Sequence, residues 1–515
     1  MSRDNAARTT GRELKQSNIC QSVDASGLTG TCDRTIRPTS VDELRTALLE
    51  AAAIQQRVTV RGAGTGLSGG AVPDGGLLVS LDRLEKKIVI DPQEMQVEVS
   101  ASVTIAEIEE ATRQIGLFYP PDPTEPAASI GGTIATNASG ARTFRYGPTA
   151  RWVDALTLLL VDGDEISLRR REVIASEGSM LLTTKNGREI DVPIPVRPDI
   201  DVTKNTAGYQ LDDALDAIDL VVGSEGTLGI ITSATLRLLE RPEKTLSLLI
   251  FFSDQHDLLE TVDDLRERSR KERIDVPTIG SSNDPEDPFS VRSIEYIDGR
   301  SLAQVAEHIA IEIPTAAAGA LWVEQETTSV AIEEGERLEN WWRYIESMSA
   351  TTDATIVGLD DRSREVLRDF RHQVPLTAHR IVEQFSMSKI GTDLAVPEAQ
   401  TGQMLRYYEE AIETSGLPAM IWGHIGNGHL HVNFLPRSKE ERSAALVLYR
   451  DFAREVIRRG GTVSAEHGIG KIKCVMLAEL MGNDSIDELR AVRRPFDPED
   501  RLGCGTMFNS LRAGD

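Results

Sequence analysis

Cysteine is scarce in this chain, which has four cysteines among 515 residues, at positions 20, 32, 474 and 504. Such a distribution lacks both the density of a disulfide-rich secreted domain and the closely spaced run that binds an iron–sulfur cluster. A redox pair of Cys20 and Cys32 stays open beside the simpler interpretation of two ordinary thiols near a polar terminus. We therefore expect a reducing, cytoplasmic setting.

Long hydrophobic runs are also missing. The longest, ALTLLLV at residues 155–161, is far shorter than the roughly 20 apolar residues that cross a bilayer. Residues 1–16 have no apolar core, so we expect no secretory signal there. We interpret residues 1–36 as an N-terminal lead-in whose start is disordered. Peripheral attachment at the inner face of a membrane stays open.

Positive charge is in deficit, because 56 lysines and arginines face 81 acidic residues and leave a net charge of −25. The resulting field repels phosphate backbones, so we expect no nucleic-acid partner. A small anionic substrate would be repelled as well, and a site for one must carry its own cations. The composition, 40% hydrophobic and 27% charged, is that of a globular protein, and the length fits two or more domains.

The succession of helix and strand patterns predicts two α+β domains. Near the start of the first, Ser40 is placed to cap a helix and Glu43 to complete a capping box. The mixed pattern continues over residues 37–242. From LSLLIFF at 246–252 onward, strands alternate with long amphipathic helices, which predicts a second domain over 243–515.

A glycine-dense loop, RGAGTGLSGG at residues 61–70, follows a predicted strand and contains GxGxxG. A nicotinamide-type dinucleotide fold would need a helix next, but residues 71–76, AVPDGG, carry a proline and two glycines there. We therefore predict a loop between two strands, whose backbone N–H groups form a nest for a diphosphate. The alternative is a mobile surface loop.

Two further segments share this small-residue character. Residues 120–147 combine glycines with four prolines, and residues 221–232, VVGSEGTLGIIT, set a strand end against glycines. Small residues let a flat ligand approach the backbone closely. Each segment is a weak signal by itself, and their occurrence within one domain favours a common ligand site.

Histidines cluster late in the chain, where four of the eight lie between residues 424 and 467. Alternation in a strand puts His429, His431 and Asn433 on one face, and the turn GNG can bring His424 back toward them. Glu466 or His467 could add a third ligand to a divalent metal. The alternative is a buried, hydrogen-bonded polar core.

The motifs RGAGTGLSGG, SIGGTIATNASG (129–140), KNTAGY (204–209) and GSEGTLGIIT (223–232) resemble the FAD-binding domain of the vanillyl-alcohol oxidase and p-cresol methylhydroxylase flavoprotein family. Within it, the chain is similar to the branch of D-lactate, glycolate and D-2-hydroxyglutarate dehydrogenases. The resemblance implies an α+β fold with a two-subdomain FAD-binding domain of the p-cresol methylhydroxylase type. It also implies a substrate (cap) domain with an antiparallel sheet, and a C-terminal segment that returns to the flavin.

The same resemblance implies FAD as cofactor, held without a covalent bond because the first loop contains neither histidine nor cysteine. The cofactor-binding residues that it implies lie in the three glycine-rich segments. They are Arg61, Gly62, Ala63, Gly64, Thr65, Gly66, Gly69, Pro121, Asp122, Ser129, Gly131, Gly132, Thr136, Asn137, Gly140, Glu225, Gly226, Gly229 and Ile230.

A zinc-like divalent metal bound by His424, His431 and Glu466 is implied by the family's GHxGxGxxH and EHG motifs, with His467 as general base. The chain departs from relatives that have GDGN, since Asn427 and His429 occupy the changed positions. It also has Gly503 and Cys504 where relatives have Asn-Pro, so we expect a flavin contact to be lost there or replaced by Asn509.

The implied activity is FAD-dependent oxidation of a D-2-hydroxy acid, of the D-lactate or glycolate type, to the 2-oxo acid by hydride transfer. Arg371 and Lys389 stand where relatives bind the substrate carboxylate. A quinone, cytochrome, electron-transfer flavoprotein or iron–sulfur protein would take the electrons, and a homodimer stays open. The alternatives are another alcohol-oxidising or non-redox flavoprotein of this fold, a flavoprotein subunit with an inactive site, and a flavin-free metallohydrolase.

Overall fold

The structure of the chain is a computed structural model that describes residues 20–197, 200–274, 287–309, 311–327 and 334–508. The predicted disordered start, residues 1–16, lies outside the described residues, as does Asn509. Among the described residues, none of the helices combines the length and the apolar character needed to cross a bilayer.

The elements up to residue 240 are mostly strands joined by long loops and short helices. In chain order they are β1 Cys20–Val23, β2 Thr29–Cys32, β3 Arg34–Ile36, α1 Val41–Ala53, β4 Val58–Arg61, β5 Leu77–Ser80, β6 Ile88–Asp91, β7 Gln96–Ser100, α2 Ile105–Arg113, β8 Leu117–Phe118, α3 Ile130–Ala135, α4 Thr143–Tyr146, β9 Val153–Leu159, β10 Glu165–Arg169, β11 Ser179–Thr183, β12 Glu189–Pro193, α5 Ala217–Val221, β13 Ile230–Arg237 and β14 Leu239–Glu240.

Two sheets organise this part. A small parallel sheet has the order β3-β5-β4, and an antiparallel sheet has the order β10-β9-β13-β7-β6. The predicted strand-to-strand loop is confirmed, because β4 ends at Arg61 and runs through residues 62–76 into β5, its parallel neighbour. Residues 20–36, interpreted above as lead-in, form β1 to β3 instead, and β3 pairs with β5. These strands are short and mostly exposed, so their sequences lack the hydrophobic alternation by which a strand is predicted.

The second part begins with β15 and is built around one large sheet. Its elements are β15 Lys244–Phe252, α6 Gln255–Arg268, α7 Arg270–Ile274, β16 Ser293–Asp298, α8 Gly299–Val305, β17 Gly319–Thr327, α9 Glu334–Ser347, β18 Thr351–Gly358, α10 Asp361–Glu383, β19 Ile390–Gly391, β20 Leu394–Ala395, α11 Thr401–Ser415, β21 Ala419–Gly423, β22 His429–Phe434, α12 Lys439–Arg458, α13 Cys474–Met481 and α14 Asn483–Arg493.

This sheet has the strand order β18-β15-β17-β16-β21-β22-β19, with β20 also paired to β22, and every pairing is antiparallel. The predicted fold class, with an antiparallel sheet in the substrate domain, is confirmed. The chain then returns to the first part, where the Val58 N–H donates to the Arg501 carbonyl at 2.7 Å and Gly503 N–H to the Val58 carbonyl at 2.8 Å.

The cap of α1 differs in one detail from the prediction. Ser40 Oγ accepts a hydrogen bond from the Glu43 N–H, as expected. The Glu43 carboxylate, however, accepts from the N–H and hydroxyl of Thr39 rather than from Ser40. Cys20 and Cys32 are opposite each other in the register of β1 and β2, and no disulfide joins them.

Candidate active site

An open cleft of about 1360 Å³, counting space open to solvent, lies where the three glycine-rich segments meet. Its floor and walls come from the loop after β4, the start of α3 and the turn before β13. The cofactor-binding residues predicted from the sequence that line it are Gly62, Ala63, Gly64, Thr65, Gly66, Ser129, Gly131, Gly132, Thr136, Glu225, Gly226, Gly229 and Ile230. Glu466 and His467 line the same cleft from the far end of the chain.

The other six predicted cofactor residues lie outside the lining. They are Arg61, Gly69, Pro121, Asp122, Asn137 and Gly140. Arg61 Nη1 donates to the Val23 carbonyl at 2.8 Å, and Asn137 Oδ1 accepts from the Ala150 N–H at 2.9 Å. These two residues brace the loops around the cleft.

Gly140 is required by packing, because a Cβ there would overlap the carbonyl oxygen of Asp122. We expect Gly140→Ala to lower the free energy of unfolding by about 1–3 kcal/mol, the usual cost of overpacking. Chemical denaturation measures this. Gly335→Ala is the control, since a Cβ at that exposed glycine would meet nothing within 4 Å. Equal stability of the two variants would contradict the account.

The cleft is suited to FAD because glycines and other small residues leave its backbone accessible to a ligand. Gly64 has φ +76°, and a Cβ on Gly62 would overlap Ser129 Oγ, while one on Gly131 would lie 2.7 Å from Ala101 Cβ. Ser129 Oγ is buried and has no hydrogen-bond partner among the described residues. An unpaired hydroxyl between glycine-rich walls is suited to a diphosphate or a flat ring.

The cleft is joined directly to the loop that carries Glu466 and His467. Ser68 Oγ, in the first glycine loop, donates to the His467 carbonyl at 2.9 Å. The Glu225 carboxylate accepts from the Ile469 and Gly470 N–H groups, both at 2.7 Å. Burial raises the pKa of Glu225 to about 7, although these N–H groups act in the other direction. Segments separated by 244 to 399 residues in the chain therefore form one wall of the cleft.

Beyond that wall, four side chains converge. His424, His429, His431 and Glu466 each offer a donor atom, and these atoms all lie within 4.8 Å of one another. Glu466 Oε2 is 3.4 Å from His424 Nε2, and Glu466 Oε1 is 3.3 Å from His431 Nε2. Two imidazoles and a carboxylate are a donor set that divalent transition metals favour.

Outer partners fix the orientation of these rings. His424 Nδ1 is 2.7 Å from Glu295 Oε1, and His431 Nδ1 is 2.9 Å from the Thr392 carbonyl. Both Nε2 atoms are thereby left to face Glu466, as the rings of metal-bound histidines commonly do. Burial lowers the pKa of His431, which keeps its lone pair free. Burial also favours the neutral ring of His424, but Glu295 outweighs it and raises the pKa.

Lys204, from the KNTAGY segment, adds a buried cation. Its side chain is fully buried, and Nζ lies 3.0 Å from Glu466 Oε2. Burial opposes ionisation of Glu466, but Lys204 and His424 outweigh it and hold the pKa of Glu466 well below its usual range. Burial lowers the pKa of Lys204, although Glu466 and Glu295 act in the other direction.

His467 stands at the boundary of cleft and cluster. Its Nδ1 is 3.6 Å from Asp393 Oδ2, its Nε2 is 3.4 Å from Glu466 Oε1, and its ring stacks on that of His431 with centroids 5.7 Å apart. The Asp393 carboxylate also accepts hydrogen bonds from the N–H groups of residues 465–467 and from Lys473 Nζ. Asp393 therefore holds the loop and the histidine together.

The two predicted substrate cations lie near the cluster, each next to a residue that neighbours one of its histidines. Arg371 Nη2 is 3.3 Å from Glu295 Oε2, which connects Arg371 to His424. Lys389 Nζ donates to Asn433 Oδ1 at 2.8 Å, beside His431, and burial lowers the pKa of Lys389.

Sequence reasoning assigned no role to Glu295, Asp393 or Lys204. Glu295 lies inside the buried strand β16, and a single carboxylate in a strand carries no motif. Lys204 is the first residue of the KNTAGY motif, which was already recognised from the sequence. A lysine in such a motif was a signal from which a cation at the site could have been predicted.

Comparison with known proteins agrees with this geometry. The family model for an FAD binding domain matches residues 32–169, and the model for the C-terminal domain of FAD linked oxidases matches residues 288–507. Two structures of alkyldihydroxyacetonephosphate synthase share the fold, with TM-scores of 0.57 and 0.60 and 14% identity, over 92% of this chain and 77% of theirs.

Three characterised relatives are similar over nearly the whole chain. The glycolate oxidase subunit GlcD of Bacillus subtilis is 27% identical over 92% of this chain and 89% of its own length. The D-lactate dehydrogenase of Archaeoglobus fulgidus is 27% identical, over 92% and 91%. The D-2-hydroxyglutarate dehydrogenase of Xanthomonas citri pv. viticola is 28% identical, over 92% and 88%.

These matches confirm the resemblance drawn from the glycine-rich motifs, and the FAD-binding domain counts against a flavin-free metallohydrolase. Both matched regions contribute residues to the lining of the cleft. The chain is an enzyme that belongs to the FAD-linked oxidases and dehydrogenases.

Proposed function

We propose that this enzyme oxidises D-2-hydroxy acids of the lactate, glycolate or 2-hydroxyglutarate type to 2-oxo acids, with FAD as hydride acceptor and a divalent metal at the histidine cluster. One observation carries the proposal. The cleft lined by the glycine-rich segments ends at Glu466 and His467, so a flat ring in the cleft and a substrate at the cluster would be neighbours.

The residues present fit both groups. FAD bound in the cleft would supply the acceptor for the hydride. A divalent ion held by His424, His431 and Glu466 supplies a Lewis acid for the substrate hydroxyl and carboxylate. The absence of histidine and cysteine from residues 61–70 supports a dissociable FAD.

The side chains supply the remaining chemistry. Arg371 and Lys389 offer cations for the substrate carboxylate in a protein whose net charge of −25 would otherwise repel it. His467 accepts the hydroxyl proton at Nε2, and Asp393, on the Nδ1 side, orients the ring. The loss of that proton lets the α-carbon release its hydride.

Arg371 gives a direct test of substrate binding. We expect Arg371→Met to raise KM for the acid by roughly 10–100-fold, because a charge-assisted hydrogen bond is worth about 1.5–3 kcal/mol. Steady-state kinetics with FAD content measured in parallel checks this. Arg343→Met, at an exposed arginine paired with Glu339, is the control and should leave KM unchanged. An unchanged KM in the Arg371 variant would contradict its assignment.

The proposal as a whole is tested by mixing D- and L-2-hydroxy acids anaerobically with the FAD-loaded enzyme. The flavin absorbance is the readout. We expect D-lactate, glycolate or D-2-hydroxyglutarate to bleach the flavin. The L-enantiomers of lactate and 2-hydroxyglutarate should react far more slowly. Full flavin retention with no bleaching by any of these acids would contradict it.

A further inference from the structure

A third histidine, His429, lies at the bottom of the cluster without an assigned role. It is the first residue of β22 and its side chain is fully buried. Its ring centroid is 4.3 Å from that of His431 and 5.4 Å from that of His424. Its Nδ1 has no hydrogen-bond partner among the described residues. A buried ring nitrogen without a partner is costly unless something else binds it.

The two nitrogens face different groups. Nδ1 points to the cluster and lies 3.9 Å from Glu466 Oε2. Nε2 faces the Asp393 carboxylate, with Oδ1 3.3 Å away. His424 and His431 show the same division, each with one nitrogen toward Glu466 and the other toward an oxygen acceptor. Metal-bound histidines typically have such an outer oxygen partner.

We propose that His429 is a fourth protein ligand of the metal and binds it through Nδ1. This inference rests on the metal site of the proposed function. The ion would then be held by three imidazoles and Glu466, with Glu295, Thr392 and Asp393 as outer partners of the rings. His424 and His429 are buried, whereas Glu466 and His467 line the cleft, so a substrate entering from the cleft would meet His467 and the Glu466 side of the cluster.

The number of imidazoles bound to the metal can be measured directly in the unaltered enzyme and in a variant. The FAD-loaded enzyme is stripped with a chelator, loaded with one equivalent of Cu²⁺, and examined for the nitrogen couplings in its electron paramagnetic resonance spectrum. We expect three coupled imidazole nitrogens in the unaltered enzyme and two in His429→Asn. Zn²⁺ affinity, measured by competition with a chelator, should fall at least about 10-fold in the variant.

His256→Asn is the matched control, because His256 lies on the exposed face of α6, with its side chain 77% accessible. This variant should still show three imidazole nitrogens coupled to Cu²⁺, and its Zn²⁺ affinity should be unchanged. Two nitrogens in the unaltered enzyme, or equal Zn²⁺ affinity in a folded His429→Asn, would overturn the role of His429 while leaving the metal site intact. Failure of the unaltered enzyme to retain either ion would overturn both proposals.

Discussion

Replacing His467 by asparagine is expected to lower kcat/KM for the 2-hydroxy acid by about 10²–10⁴-fold, the range typical of a lost general base. FAD and metal should both remain bound, because His467 contacts the edge of the cluster and is not among its four converging donors. Asparagine fills much of the same space, so the Asp393 interactions with the 465–467 backbone should persist.

The reductive half-reaction isolates this effect. Flavin reduction under anaerobic conditions should slow in the His467 variant by the same factor as kcat/KM, whereas reoxidation should be unchanged. His256→Asn again serves as control for the substitution itself. If the His467→Asn variant reduced its flavin at the original rate, the proton acceptor would have to be sought elsewhere.

The second large effect is expected for Glu466→Gln, which removes charge from the centre of the cluster. Metal binding should be lost, since the carboxylate lies between His424 and His431. The Lewis acid is worth several kcal/mol, so activity should fall on the order of 10²-fold or more.

Glu466→Gln should also leave Lys204 as an unpaired buried cation, which typically costs about 3–5 kcal/mol of unfolding free energy.

A double variant separates stability from chemistry. Adding Lys204→Met to Glu466→Gln removes the stranded cation, and buried ion pairs replaced by uncharged residues often lose little stability. We expect denaturation to show substantial recovery of stability in the double variant, with metal binding and activity still absent. Recovery of metal binding together with stability would show that Glu466 acts only through folding.

The fold and the site differ in how far the sequence predicted them. The glycine loop after β4 was predictable because Pro73 and its neighbouring glycines exclude the helix of a dinucleotide fold. The shared face of His429 and His431 followed from strand alternation, and β22 places both rings at the cluster. These are local properties, fixed by residues close together in the chain.

Contacts between distant segments were beyond local patterns. Asp393 binds three successive N–H groups more than 70 residues away, and Ser68 donates to a carbonyl 399 residues away. Nothing in the composition around Glu295 distinguishes it from other acidic residues, although its carboxylate orients His424. The shift of the Glu43 bond from Ser40 to Thr39 is instead a local ambiguity, because two adjacent residues offer donors of similar chemistry.

The most direct test of the central claim, that the cleft and the metal cluster form one active site, is the rate of flavin reduction by D-lactate, glycolate or D-2-hydroxyglutarate before and after metal removal. We predict that a chelator abolishes rapid reduction while FAD stays bound, and that Zn²⁺ restores it. Equal rates in metal-loaded and metal-free enzyme, with FAD content unchanged, would contradict the account.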